Sequence, residues 1–118
     1  MSRPVIVTSF AEAVAALRNW RAPAVPTLLS APAAAQFAGP LWWRRLIDLA
    51  AAETGMACDD WLDCGDAPGQ AMAALRAGCR GLVIAPTVPS VARLTELARA
   101  HGAHVVTDRN AIQTRLRP

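Results

Sequence analysis

Lysine and tyrosine are absent from this chain of 118 residues, so all twelve of its basic residues are arginine. Without lysine there is no Schiff-base nucleophile, no pyridoxal phosphate anchor and no P-loop lysine. Without tyrosine there is no phenolic acid or base. An arginine-only, alanine-rich composition follows most simply from a GC-rich coding sequence rather than from selection for guanidinium chemistry. Long apolar runs are also missing. Arginine, aspartate or proline interrupts every stretch before it reaches the roughly 20 residues that cross a bilayer, and no membrane association is expected. The three cysteines, Cys58, Cys64 and Cys79, match no zinc-ligand spacing, and no charged and apolar leader opens the sequence. A reducing, cytoplasmic setting is expected, with no metal and no cofactor.

What is present is enough apolar material for a core: 53% of the residues are hydrophobic, and the length suits a single domain over 1–118 without disulfide support. The net charge is +3, but the arginines are spread over presumed helix surfaces rather than gathered into a stripe with stacking aromatics. Nucleic acid is therefore not an expected partner. Only Arg109, Arg115 and Arg117 cluster, and a solvated carboxyl-terminal helix accounts for them.

One unit repeats along the chain: a short β-branched or leucine-rich run, turn residues, then an amphipathic helix. Ser9-Phe10-Ala11-Glu12 is a capping box that opens a helix to about Arg21, with Val5, Ile6 and Val7 before it as an optional strand. Pro26 to Ser30 reads as a buried strand. Pro32 and an alanine run lead to Gly39, and Pro40 opens a longer helix that Gly55 stops. Trp61 to Asp63 is the next strand, followed by a helix from Pro68 to Ala77. Gly81 to Ala85 is another strand, Ser90 to His101 a helix, and Ala103 to Thr107 the last strand. Strands alternating with helices imply a parallel sheet of four or five strands with right-handed crossovers.

In such folds the carboxyl ends of the strands face the ligand, which selects Asp63 and Cys64 as the first candidates. A carboxylate closing an apolar strand needs solvent, a helix start or a ligand to stabilise it. A thiol near a helix start is open to activation, though Asp63 and Asp66 oppose that by adding negative charge. Asp66 also suits the N-cap, or the position next to it, of the Pro68 helix. Ser30, Thr87 and Thr107 end other strands and extend the polar rim. His101 and His104 fall before the last strand, on the opposite rim. Cys58 and Cys79 read as small buried hydrophobes. Trp42 and Trp43 point about 100° apart on one helix, so one enters the core and the other lies near the surface.

From about Thr27 to Thr107 the order and spacing resemble the first part of the class II fructose-bisphosphate aldolase barrel. Ser30 with the following small residues and Ala38-Gly39, then Leu62-Asp63-Cys64-Gly65, Ala77-Gly78 and Gly81-Leu82-Val83-Ile84 carry the likeness. The resemblance implies that Asp63 matches the family's catalytic acid/base. It also implies that Cys64 stands where the family has a zinc-binding histidine, and Ala85 where it often has an acidic residue. The other zinc ligands and the phosphate site belong to strands beyond this segment.

A barrel segment of four or five strands has two open edges and one uncovered inner face. It can flatten into a flavodoxin-like open sheet with helices on both faces, or, half-barrel-like, pair with a second copy to cover the exposed surface; a homodimer with an open parallel sheet in each subunit is expected. Function then divides in two. One expectation is a non-catalytic scaffold acting by self-association or protein contact through tryptophan and leucine surfaces. The other is binding of a small polar metabolite, a sugar phosphate or small acid, by Ser30, Asp63, Cys64, Asp66 and Thr87.

Overall fold

A computed structural model of the chain describes residues 3–116. Five parallel strands, β1 (Val5–Ile6), β2 (Thr27–Leu29), β3 (Asp59–Asp63), β4 (Gly81–Val83) and β5 (His104–Val106), form one open sheet in the spatial order β1-β2-β3-β4-β5. Four longer helices and one short one connect them: α1 (Phe10–Arg18), α2 (Ala34–Phe37), α3 (Pro40–Thr54), α4 (Pro68–Ala77) and α5 (Val91–Ala100). A 3-10 turn, Arg109–Ala111, follows β5. Among the described residues no helix is long and apolar enough to cross a membrane.

Strand order decides between the two architectures left open by sequence. A flavodoxin-like sheet reverses direction at its first strand, giving the order 2-1-3-4-5 and helices on both faces. Here each right-handed crossover advances one strand in the same direction, which sets every helix on the same face. The helices accordingly form one layer, α1 against α3, α3 against α4 and α4 against α5. The fold is the half-barrel-like alternative.

Side chains alternate across each strand, so the register sorts them. Leu28, Leu62, Leu82 and Ile84 face the helices, where they join Leu17, Trp43, Ile47 and Leu75 in the main core. Each fully buried leucine stabilises the fold by about 1.5–3 kcal/mol. Leu29 lies beside Trp61, and Asp63 beside Val83, which lies beside Val106. These line the opposite, inner face. Trp61 lies flat on the neighbouring strand there because Gly81 has no side chain. A Cβ at that position would sit 2.5 Å from the indole and 2.6 Å from the Asp60 carbonyl oxygen.

The inner face of β2, β3 and β4 is crossed by the carboxyl-terminal segment. From Arg109 at the Asp63 end of β3 it runs back to Arg115 at the Asp59 end, with Ile112 between them against Leu29 and Val83. Backbone contacts seal its far end: the Val25 N–H donates to the Arg115 carbonyl at 2.7 Å, and Ala24 bridges Leu116. This strap corrects the expected solvated helix. Arg109 and Arg115 are committed to carboxylates on the sheet, while Arg117 lies outside the described residues.

Local signals explain most boundaries. Ser9 caps α1 by accepting the Glu12 N–H at 3.1 Å. The Glu12 carboxylate reaches one residue further back than the standard box, to the Thr8 N–H and hydroxyl. α1 stops at Arg18 rather than Arg21, with Asn19 as its C-cap. Gly55 and Gly78 end α3 and α4 in the left-handed conformation. β3 starts two residues before Trp61 and takes in Asp59 and Asp60. Asp66 stands next to the cap of α4 rather than at it, since the N-cap is Ala67, and no side chain caps the helix.

Candidate functional site

The carboxyl end of β3 is organised by Ser30, Asp63 and Arg109. Ser30 leaves β2 fully buried, and its hydroxyl accepts the Asp63 N–H at 2.9 Å while donating to the Ala31 carbonyl at 3.0 Å. One Asp63 oxygen accepts the Gly65 N–H at 2.8 Å, which holds the turn after the strand. The other accepts from Arg109 Nη1 at 2.8 Å. Arg109 Nη2 donates to the Ser30 carbonyl at 3.0 Å and closes the ring. The Asp63 carboxylate, 7% exposed, thus obtains from the strap the partner that burial demands.

Cys64 turns the other way. Its side chain enters the core on the helix face, wholly buried, with the thiol 3.8 Å from the Leu62 carbonyl oxygen. Burial, followed by the neighbouring Cys79 and Asp63, pushes the thiol up to about 12. A helix start does not activate it, and it does not share the Asp63 cavity. Asp66 is exposed and accepts a hydrogen bond from Gln36 Nε2 at 3.1 Å, while the same amide nitrogen donates to the Cys64 carbonyl. Thr87 is exposed in the turn between β4 and α5. Of the five residues selected from sequence, the fold therefore joins Ser30 and Asp63, ties Asp66 to α2, buries Cys64 and leaves Thr87 apart.

A cavity of about 450 Å³ lies at this edge, with Asp63, Gly65, Thr107, Asp108, Arg109 and Asn110 on its walls. Asp108 accepts the Asn110 N–H at 2.9 Å and so fixes the turn that aims Arg109 inward. Sequence reasoning missed Arg109 as a member of this group. The available signal was the charge of Asp63 closing an apolar strand, for which solvent, a helix start or a ligand was expected and Arg109 is the partner found.

A second carboxylate cluster sits on the helix face of the same strand. Asp60 is 5% exposed, receives Trp43 Nε1 at 3.2 Å and Arg44 Nη1 at 3.2 Å to each oxygen, and Arg44 also holds Asp48. Burial raises the Asp60 carboxyl, with Arg44 and Trp43 pulling back. Burial likewise opposes the Arg44 charge, but Asp60 and Asp48 together outweigh it and the guanidinium is held more firmly protonated. Cys58 and Cys79 lie in the same field. Burial and then the Asp60 charge push their thiols up to about 12 and about 11.

The two histidines, His101 and His104, are exposed and stand at the amino end of β5, away from Asp63, as the strand polarity requires. None of the four tryptophans is exposed: Trp43 is buried, Trp20, Trp42 and Trp61 partly so. Of the expected tryptophan and leucine surfaces, the exposed part is leucine, at Leu41, Leu49 and Leu116, joined among the described residues by Ile6 and Phe37, with Val5 and Phe10 less exposed. Among the described residues, no three of histidine, cysteine, aspartate and glutamate gather as a metal site would require. No known protein family, curated protein or solved structure matches this chain.

Proposed function

We propose that the protein is a non-catalytic α/β scaffold, a degenerate aldolase-like half-barrel that works by self-association in the cytoplasm. The observation that carries this reading is the bonding of Asp63. The carboxylate that ends β3, where a barrel enzyme keeps its acid or base, is bound by Arg109 at one oxygen and by the Gly65 amide at the other, so each oxygen already has a partner within the chain. Cys64, the neighbouring candidate ligand, is buried with its thiol held in the unreactive protonated form. Support for self-association comes from the sheet edge. β1 is a two-residue edge strand whose side chains, Val5 and Ile6, are 36% and 55% exposed. Exposed apolar side chains at a sheet edge offer a second chain both unpaired backbone groups and a surface to bury.

The direct test is sedimentation equilibrium at micromolar concentration. A homodimer that Ile6→Lys converts to monomer is the expected result. A wild type that remains monomeric throughout that range overturns the reading.

The cavity beside Asp63 and Arg109 supports a second reading, in which Thr107, Asp108 and Asn110 bind a small polar metabolite. A thermal-shift screen with sugar phosphates and small acids separates the two, because a ligand at about one hundred times its dissociation constant adds about 2.7 kcal/mol of stability. Shifts abolished by Asn110→Ala establish the metabolite reading. Their absence leaves the scaffold.

A further inference from the structure

The strap is one chain wide, and the inner face of the sheet is wider. Its anchors, Asp63, the Leu29 and Val83 side chains, and Asp59, all lie on the three central strands. The inner face at β1 receives nothing, which is why Ile6 remains 55% exposed although it occupies a position that a closed barrel would bury. Between β1 and the strap lies a cleft of about 850 Å³, within the range of about 300 to 1,000 Å³ typical of small-molecule sites.

Its lining has a definite chemistry. Ile6, Leu29 and Ile112 supply apolar walls, Asn110 and Gln113 supply amides, and Arg3 and Arg109 supply charge. Among the described residues that line it there is no carboxylate side chain. Arg109 already has its counter-charge in Asp63, whereas Arg3 forms no ion pair with another described residue. A guanidinium at the mouth of an apolar cleft attracts an anion and repels a cation.

We propose that this cleft binds a small amphipathic carboxylate, with its hydrocarbon portion on Ile6, Leu29 and Ile112 and its carboxylate at Arg3. The site adjoins the Asp63 cavity, with which it shares Arg109 and Asn110 among its walls. It arises because the strap crosses only the three central strands and leaves β1 uncovered on the inner face.

Isothermal titration calorimetry with octanoate, octanol and octylammonium, each below its micelle concentration, tests the proposal. Octanoate is expected to bind at one site per chain, about fivefold more tightly than octylammonium, since the two differ in the sign of their interaction with Arg3. Arg3→Gln should bring octanoate and octylammonium to near parity while leaving octanol unchanged. Gln113→Trp, at an exposed position, should fill the cleft and abolish binding of all three, with the circular dichroism spectrum retained. Equal affinity for the three probes, binding that survives Gln113→Trp, or no octanoate binding in the millimolar range would each overturn it.

Discussion

Two carboxylates three positions apart on one strand, Asp60 and Asp63, face opposite sides of the sheet and are stabilised by different means. Asp60 points into the helix layer and is held by two consecutive residues of α3, Trp43 and Arg44. Those partners come with a helix that packs a large apolar stripe, so the polar contacts are carried by the core around them. Asp63 points into the inner face and is held by Arg109 from a segment with no regular structure beyond one 3-10 turn. There the relation is reversed. The apolar contribution of the strap is mainly Ile112, and charge and backbone contacts must hold the rest. One side of this sheet is a packed core that contains an ion pair, and the other is an ion pair that pins down a thin cover.

The strongest way to break this contrast is through the aromatic side chains. Trp43→Ala removes a fully buried indole together with a donor to Asp60, and it should cost about 4 kcal/mol in urea unfolding. Trp61→Ala, on the partly buried inner face, should cost about half as much, roughly 2 kcal/mol. Equal losses would mean that the two faces are equally packed.

Next in size is the latch. Arg109→Ala leaves Asp63 buried without its cation and frees the start of the strap. Breaking a buried pair costs about 3–5 kcal/mol, and the 23% exposure of the Arg109 side chain places the expected loss at the lower end, about 3 kcal/mol by the same measurement. Retention of full stability would show that the strap is held elsewhere.

The helix-face carboxylate is best tested by pH. Its folded pKa is raised, chiefly by burial. Above about pH 4 the unfolded chain has therefore released a proton that the folded protein still holds. Wild-type stability should fall from this source as pH rises through the folded value, and then level off. Asp60→Asn removes that fall, so the difference between variant and wild type should move in the variant's favour across the window. A difference independent of pH would contradict the direction of the shift.

The smallest effect belongs to the other end of the strap. Arg115 is 65% exposed and pairs with Asp59 at 2.7 Å. Exposed pairs of this kind contribute little, so Arg115→Ala should leave the urea midpoint where it is. A loss matching that of Arg109→Ala would show that both ends of the strap act as equal clamps.

The elements were legible in the sequence because their signals are local. Pro68, Gly78, Gly55 and the Ser9-to-Glu12 pattern mark helix ends through residues no more than a few positions away, and the parallel sheet followed from the βα alternation. Strand order was not legible, since periodicity within a strand carries no record of which strand lies beside it. The site was half visible. Asp63 stood out as a charge ending an apolar run, but Arg109 lies 46 residues away and its partnership is created only by the fold. Asp60 was overlooked for a related reason. Asp59-Asp60 looks like a polar turn until Arg44 and Trp43 are known to sit above it. Cys64 was misplaced by period rather than by distance. It follows Asp63 directly, and consecutive residues in extended chain point to opposite faces.

The account rests most heavily on Asp63 being a structural latch rather than a group held ready for chemistry. A double-mutant cycle with Asp63→Ala, Arg109→Ala and the combined variant, followed by urea unfolding, measures that directly. The account predicts a coupling of about 2 kcal/mol, with the second substitution adding little once the first is made. Losses that add within about 0.5 kcal/mol would contradict it.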